Sequence, residues 1–156
     1  EINGENYIGG ERRAGWINDG SAWYYLDPET GIMQTGWKQI GNKWYYLRSS
    51  GAMTTGWYQE GSTWYYLDQL NGDMKTGWQY LGNKWYYLRS SGSMATGWVK
   101  DGSTWYYLNA SNGDMKTGWT KVNGNWYYLN SNGAMVTGSQ TIDGKVYNFG
   151  SSGEWI

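Results

Sequence analysis

Apolar and polar positions in this chain do not form a 3.6-residue stripe; they come in short blocks dominated by rings and separated by glycine and polar clusters. The stretch 77–88, GWQYLGNKWYYL, is representative, and versions of it recur six times. Two tryptophans seven residues apart flank a polar turn centred on glycine or asparagine, and the second opens a run of three aromatic residues. Short β-favouring runs around such a turn predict a β-hairpin. Glycine every few residues argues against helix anywhere.

In the first block, a two-residue primed turn at Asp19 and Gly20 would set Asn18 opposite Ser21, Ile17 opposite Ala22 and Trp16 opposite Trp23. By the two-residue period of a strand, Trp16, Trp23 and Tyr25 share one face, while Ile17, Tyr24 and Leu26 point the other way. A lone hairpin is marginal in water, so each must bury a face against its neighbours. The Tyr24 and Leu26 face, joined by Met33 beyond the loop, is the expected interior.

The first tryptophans of the blocks, Trp16, Trp37, Trp57, Trp78, Trp98 and Trp119, are spaced 21, 20, 21, 20 and 21 residues apart. Trp23, Trp44, Trp64, Trp85, Trp105 and Trp126 follow the same alternation, so the full period is a pair of repeats, 41 residues long. Such self-similarity signals stacked supersecondary units. The extra residue falls in the loops Asp27 to Gly31, Asp68 to Gly72 and Asn109 to Gly113, whose composition marks surface turns. Charge at the hairpin tips alternates as well, with Asp19, Glu60 and Asp101 against Lys43, Lys84 and Asn125, which reads as a solvated rim. Six repeats are expected over 16–138. The segments 1–15 and 139–156 read as degenerate terminal repeats that cap the stack, the whole forming one continuous repeat domain.

Composition changes this picture by showing where the buried area must come from. Among 156 residues there are 25 Gly, 13 Trp and 16 Tyr but a single Phe, so rings supply most of any core. The absence of His and Cys removes imidazole bases, nucleophilic triads, thiolate catalysis and disulfides. The remaining carboxylates sit mostly at repeat-equivalent tips and loops, such as Asp19, Glu60 and Asp101, or Asp27 and Asp68, whereas an active site is singular, so no catalysis is expected. No metal site is expected either: Asp73 and Asp114 lie beside Asn71 and Asn112 without a dense oxygen-ligand loop and read as turn formers. A net charge of -1 offers no basic footprint for nucleic acid or an anionic membrane. No apolar run is long enough to span a bilayer. The chain starts at Glu1 and is read as a segment of a longer or processed protein.

What remains is the aromatic face. Because Tyr, Leu and Met already supply one apolar face, two tryptophans on the other are redundant as core. An electron-rich wall of indoles closed by a ring from the next unit suits a quaternary ammonium ion, each ring contributing on the order of 0.5–2 kcal/mol. Three rings, less the cost of immobilising the ligand, leave roughly millimolar affinity per site. Repetition against a ligand displayed along a polymer can add a factor of ~100 or more.

The motif G-W, a second Trp seven residues on in W-Y-Y-L, and G-x-M-x-T-G after the loop resembles the choline-binding repeats of surface proteins and autolysins from pneumococci and their phages, over about Gly15 to Gly138. The resemblance implies an all-β, left-handed solenoid of stacked β-hairpins. It further implies an extracellular module, attached to the bacterial cell wall through phosphocholine on teichoic and lipoteichoic acids, with choline as ligand and no cofactor. Carried over residue by residue, the choline sites would be Trp16 and Trp23 with Tyr46, Trp37 and Trp44 with Tyr66, and Trp57 and Trp64 with Tyr87. The series continues as Trp78 and Trp85 with Tyr107, then Trp98 and Trp105 with Tyr128. At the sixth interval Asn148 stands where a closing tyrosine is expected, so Trp119 and Trp126 would form a weak site or none. The methionines could add a fourth wall or simply fill the interior. Related repeats recognise glucans, so a carbohydrate-binding module is the competing reading and a structural spacer the third. The exposed edges of a hairpin stack also permit a homodimer through a terminal hairpin.

Overall fold

In the computed structural model the described residues are 14–156, together with the backbone of 7–8 and 11–12. The chain divides into two compact units, one ending at Lys75 and the other running Thr76–Ile156. Both are all-β, with no helix among the described residues. The first contains β1 (Tyr7–Ile8), β2 (Glu11–Arg12), β3 (Gly15–Asn18), β4 (Trp23–Leu26), β5 (Gly36–Ile40), β6 (Lys43–Leu47), β7 (Gly56–Glu60) and β8 (Thr63–Leu67). The second contains β9 (Gly77–Leu81), β10 (Lys84–Leu88), β11 (Gly97–Asp101), β12 (Thr104–Leu108), β13 (Gly118–Val122), β14 (Asn125–Leu129), β15 (Gly138–Ile142) and β16 (Lys145–Phe149). Every sheet is a two-stranded antiparallel hairpin of consecutive strands. The cap expected over 1–15 lies largely outside the described residues, which hold only the short β1–β2 pairing.

The hairpin register differs from the expected one. Trp16 pairs with Tyr25, and Trp23 with Asn18. The reason is the turn, whose centre sits one residue later. In β3–β4 it spans Asp19 to Ala22, with the Asp19 N–H donating to the Ala22 carbonyl at 3.2 Å. Asp19 Oδ1 accepts from the Ser21 and Ala22 amides, both at 2.9 Å, and from the Ser21 hydroxyl at 2.8 Å. In β9–β10 the turn is Gly82-Asn83, with φ of 57° and 67°, a pair of left-handed residues matched to the strand twist. Moving a turn by one residue shifts the register by two, and an even shift leaves every side chain on its expected face. The Trp, Trp, Tyr face and the Tyr, Leu face therefore stand as expected, while the cross-strand partners change.

The Leu face forms the core. Leu26, Leu47, Leu67, Leu88, Leu108 and Leu129 are all 0% exposed, and Phe149 holds the same position in the last hairpin. Each of these leucines also bridges to the methionine beyond its loop, as in Leu47 to Met53 and Leu108 to Met115, and Phe149 bridges to Trp155. Within each unit the hairpins stack through these methionine bridges. The amide of Met53 donates to the carbonyl of Trp23 in the preceding hairpin at 2.8 Å, and Met115 and Met135 do the same to Trp85 and Trp105. The next loop must then approach closely. A Cβ on Gly133 would lie 2.3 Å from Met115 Sδ, and its φ of +84° independently calls for glycine.

The loop alternation has a simple backbone cause. In the longer loops the glycine amide bonds four residues back, Gly72 to Asp68 at 2.9 Å, whereas in the shorter ones it bonds three back, Gly92 to Arg89 at 2.7 Å. Asp68 Oδ1 caps this turn by accepting from the Leu70 and Asn71 amides. Asp73, expected to form the turn, instead tucks its side chain inward against Lys75 at 3.3 Å and Lys43 at 3.9 Å.

Candidate functional site

Alternation along β4, β6 and their equivalents sends the third aromatic of each W-Y-Y run to the same side as the two tryptophans and the middle one to the opposite side. The consequence is a junction built from two hairpins. In the second unit, Trp78 of β9 and Trp85 of β10 form two walls, and the ring that crosses from the next hairpin is Tyr106, 4.8 Å from Trp78 between centroids and inclined at 68°. Met115 supplies the fourth wall, and Ser131 and Asn132 from a later loop rim a cavity of about 340 Å³. One repeat on, Trp98, Trp105, Tyr127 and Met135 surround about 300 Å³, rimmed by Ser151 and Ser152. Here the indoles stand at 89° with centroids 6.4 Å apart, and Tyr127 lies 4.9 Å from Trp98.

The first unit repeats the design. Trp16, Trp23, Tyr45 and Met53 line a cavity of about 380 Å³ with Lys43, Leu70 and Asn71 at its mouth. At the following junction Tyr65 approaches Trp37 at 4.9 Å, and Tyr58 adds a further ring, stacked on Tyr46 at 4.1 Å. Burial raises the Tyr58 phenol above its ordinary range, aided by its hydrogen bond with Tyr46. Trp57 and Trp64 stand edge to face at 6.3 Å within their own hairpin.

The expected closing rings therefore need correction. Tyr46, Tyr66, Tyr87, Tyr107 and Tyr128 each pack edge-on against the first tryptophan of their own hairpin, at 5.0–5.3 Å from Trp37, Trp57, Trp78, Trp98 and Trp119. The rings facing the preceding tryptophans are the middle ones, Tyr45, Tyr65, Tyr106 and Tyr127. Strand alternation carries the signal: a residue sharing a face with its own tryptophans cannot also face the hairpin before. The sixth interval changes with it. Asn148 stands at the third position, and the middle ring, Tyr147, is present 5.0 Å from Trp119. Trp155 takes the methionine place, 5.9 Å from both Trp119 and Tyr147.

The second tryptophans are half-open to solvent, with Trp23, Trp44, Trp85, Trp105 and Trp126 at 38–43% exposure. Rings left this open beside a filled leucine row are not part of the closed core. The tip charges are not merely a solvated rim. The indole Nε1–H of Trp78 donates to Asp101 Oδ2 at 3.0 Å, and that of Trp37 to Glu60 Oε2 at 3.4 Å. Among the described residues no cluster of acidic side chains could hold a metal ion.

Comparison with known proteins places this geometry. The family model of the choline-binding repeat matches residues 34–76, 75–117 and 116–156, and a cell wall binding repeat model matches 14–33. A comparison with curated protein sequences returned no match. Among solved structures, CbpJ of Streptococcus pneumoniae is 76% identical and similar over all of this chain and 52% of its own, with a TM-score of 0.90. Choline binding protein F of the same organism, solved with a peptidoglycan analogue, is 60% identical over 94% of this chain and 48% of its own, TM-score 0.88. The cell wall endolysin of phage Cp-1, complexed with choline, is 37% identical over 79% of this chain and 37% of its own, TM-score 0.56. The chain thus spans about half the length of the first two.

Proposed function

Because this chain belongs to the choline-binding repeat family, we propose that it is a non-catalytic module that holds its parent protein to the bacterial surface through phosphocholine on teichoic and lipoteichoic acids. The observation that carries the reading is the recurring junction, in which two indoles, a tyrosine and a thioether enclose an open cavity of about 300–380 Å³. A trimethylammonium group has no hydrogen to donate, so it is recognised by ring faces and apolar walls, which is what these junctions offer. The sites are Trp16, Trp23 and Tyr45; Trp37, Trp44 and Tyr65; Trp78, Trp85 and Tyr106; and Trp98, Trp105 and Tyr127. Each pair of indoles is supplemented by the methionine that follows. The sixth junction, Trp119 and Trp126 with Tyr147, binds too, with Trp155 in place of the thioether.

The absence of His and Cys supports a non-catalytic role, as does the engagement of the carboxylates in turns, ion pairs and indole contacts. Titrating choline while following tryptophan fluorescence and thermal stability tests the reading. Saturable quenching and a rise in melting temperature are expected, since a ligand that binds only the folded state stabilises it. Silence up to tens of millimolar choline, or a response to glucose oligomers instead, would overturn it.

A further inference from the structure

Strand β11 ends in two charges of opposite sign, Lys100 and Asp101. Because side chains alternate along a strand, they serve different junctions. Asp101 reaches back to the preceding hairpin, where its Oδ2 accepts the Trp78 indole hydrogen at 3.0 Å. Lys100 pairs across its own hairpin with Trp105, and its Nζ lies 5.9 Å from that ring's centroid. Neither cavity has a charged residue in its lining, so these two groups are the charges bonded to or seated over its walls. At the earlier junction the place across from the second tryptophan is held by a neutral ring, Tyr80, 5.1 Å from Trp85.

We propose that hairpin β11–β12 grades the two junctions it joins: Asp101 raises the affinity of the Trp78, Trp85 and Tyr106 junction for a quaternary ammonium ion, and Lys100 lowers that of the Trp98, Trp105 and Tyr127 junction. The proposal rests on the choline-binding reading above. A carboxylate accepting an indole N–H adds electron density to the ring whose face the ligand uses, and its own charge attracts the cation. An ammonium over an indole uses the same ring's attraction and repels a second cation nearby. The first unit holds the same acidic arrangement at Glu60 and Trp37, 41 residues earlier at both positions. The paired period thus repeats the acidic arm of the grading; the basic arm does not follow it, since Gln59 stands where Lys100 would and Lys121 lies 5.9 Å over Trp126 in the next hairpin.

The test is a site-resolved titration of the full chain, following the tryptophan indole N–H signals by NMR, with choline and with its uncharged tert-butyl analogue. Choline should bind the Trp78 junction about three- to tenfold more tightly than the Trp98 junction, while the neutral analogue shows little difference. Asp101→Asn, which keeps an acceptor for the indole, should weaken choline about threefold at the Trp78 junction and leave the analogue unchanged. Lys100→Gln should strengthen choline at the Trp98 junction by a similar factor. Equal choline affinities at the two junctions, or variants that move choline and the analogue together, would overturn the grading while choline binding stands. Absence of choline binding at every junction would remove the parent reading, and the grading with it.

Discussion

The two faces of the β9–β10 hairpin both carry rings and apolar side chains, but they differ in how far they are closed to solvent. On β10, Leu88 is 0% exposed while Trp85, three residues earlier, is 42% exposed. The leucine bridges to Met94 and has no surface left for a ligand. The tryptophan is held from one side by Tyr80 and through its carbonyl by Met115, and its remaining face opens into a cavity. One five-residue strand thus sends one side chain into the closed row and another to the cavity, which in the proposed function separates stability from recognition.

Substitutions should separate the two roles, the largest effect falling on the inner face. Leu88→Ala should cost about 3 kcal/mol or more of stability in denaturant unfolding, because the row is closed and cannot collapse around the lost atoms. Choline affinity measured in the fraction that remains folded should hardly change. Trp85→Ala should remove choline from one junction, detected as the loss of one site in equilibrium dialysis, with a smaller cost of about 1–2 kcal/mol for a half-exposed ring. Retention of full choline capacity would show that the open face is not the ligand wall.

A finer distinction separates the two tyrosines that follow Trp105. Tyr106→Leu should weaken choline at the Trp78 junction by about tenfold, the worth of one ring facing the cation. Tyr107→Leu should leave that junction within a factor of about two, since Tyr107 packs on Trp98 in its own hairpin. The reverse outcome would restore the third ring as the closing one.

The smallest effect is expected at the first turn, where acidity tests a cap rather than a face. Hydrogen bonds from the Ser21 amide, then the Ser21 hydroxyl and the Ala22 amide, hold the Asp19 carboxyl down to about 2 from its ordinary 3.8. A lowered folded-state pKa means that the stabilisation is present above the unfolded value and is lost as pH falls from about 4 through about 2. Asp19→Asn should flatten the stability profile in that window, measured by thermal unfolding across pH.

Much of this was legible in the chain because each signal was local and repeated. Gly82-Asn83 and Asn123-Gly124 are hairpin turns by their own chemistry, and strand alternation separates Trp85 from Tyr86 before any neighbour is known. The register was misread because Asp19-Gly20 resembles a complete two-residue turn, whereas Asp19 Oδ1 organises a four-residue one. The closing ring was misplaced for a different reason. The resemblance pointed to an aromatic of the next repeat, and W-Y-Y offers two that differ only in face.

The sequence by itself determined the repeat, the hairpins and the segregation of leucine from tryptophan. The repeat is read from the 20- and 21-residue spacing of the tryptophans, and the others depend on residue type and on spacing of seven residues or fewer, which the backbone transmits without help from packing. Only the tertiary structure decided that Tyr106 rather than Tyr107 faces Trp78, that Trp155 occupies a methionine's place, and that Asp101 bonds an indole 23 residues before it. Those are contacts between hairpins. They depend on how one hairpin is set upon the next within a unit, where the methionine amide reaches the preceding tryptophan's carbonyl, a backbone bond that no side-chain pattern records.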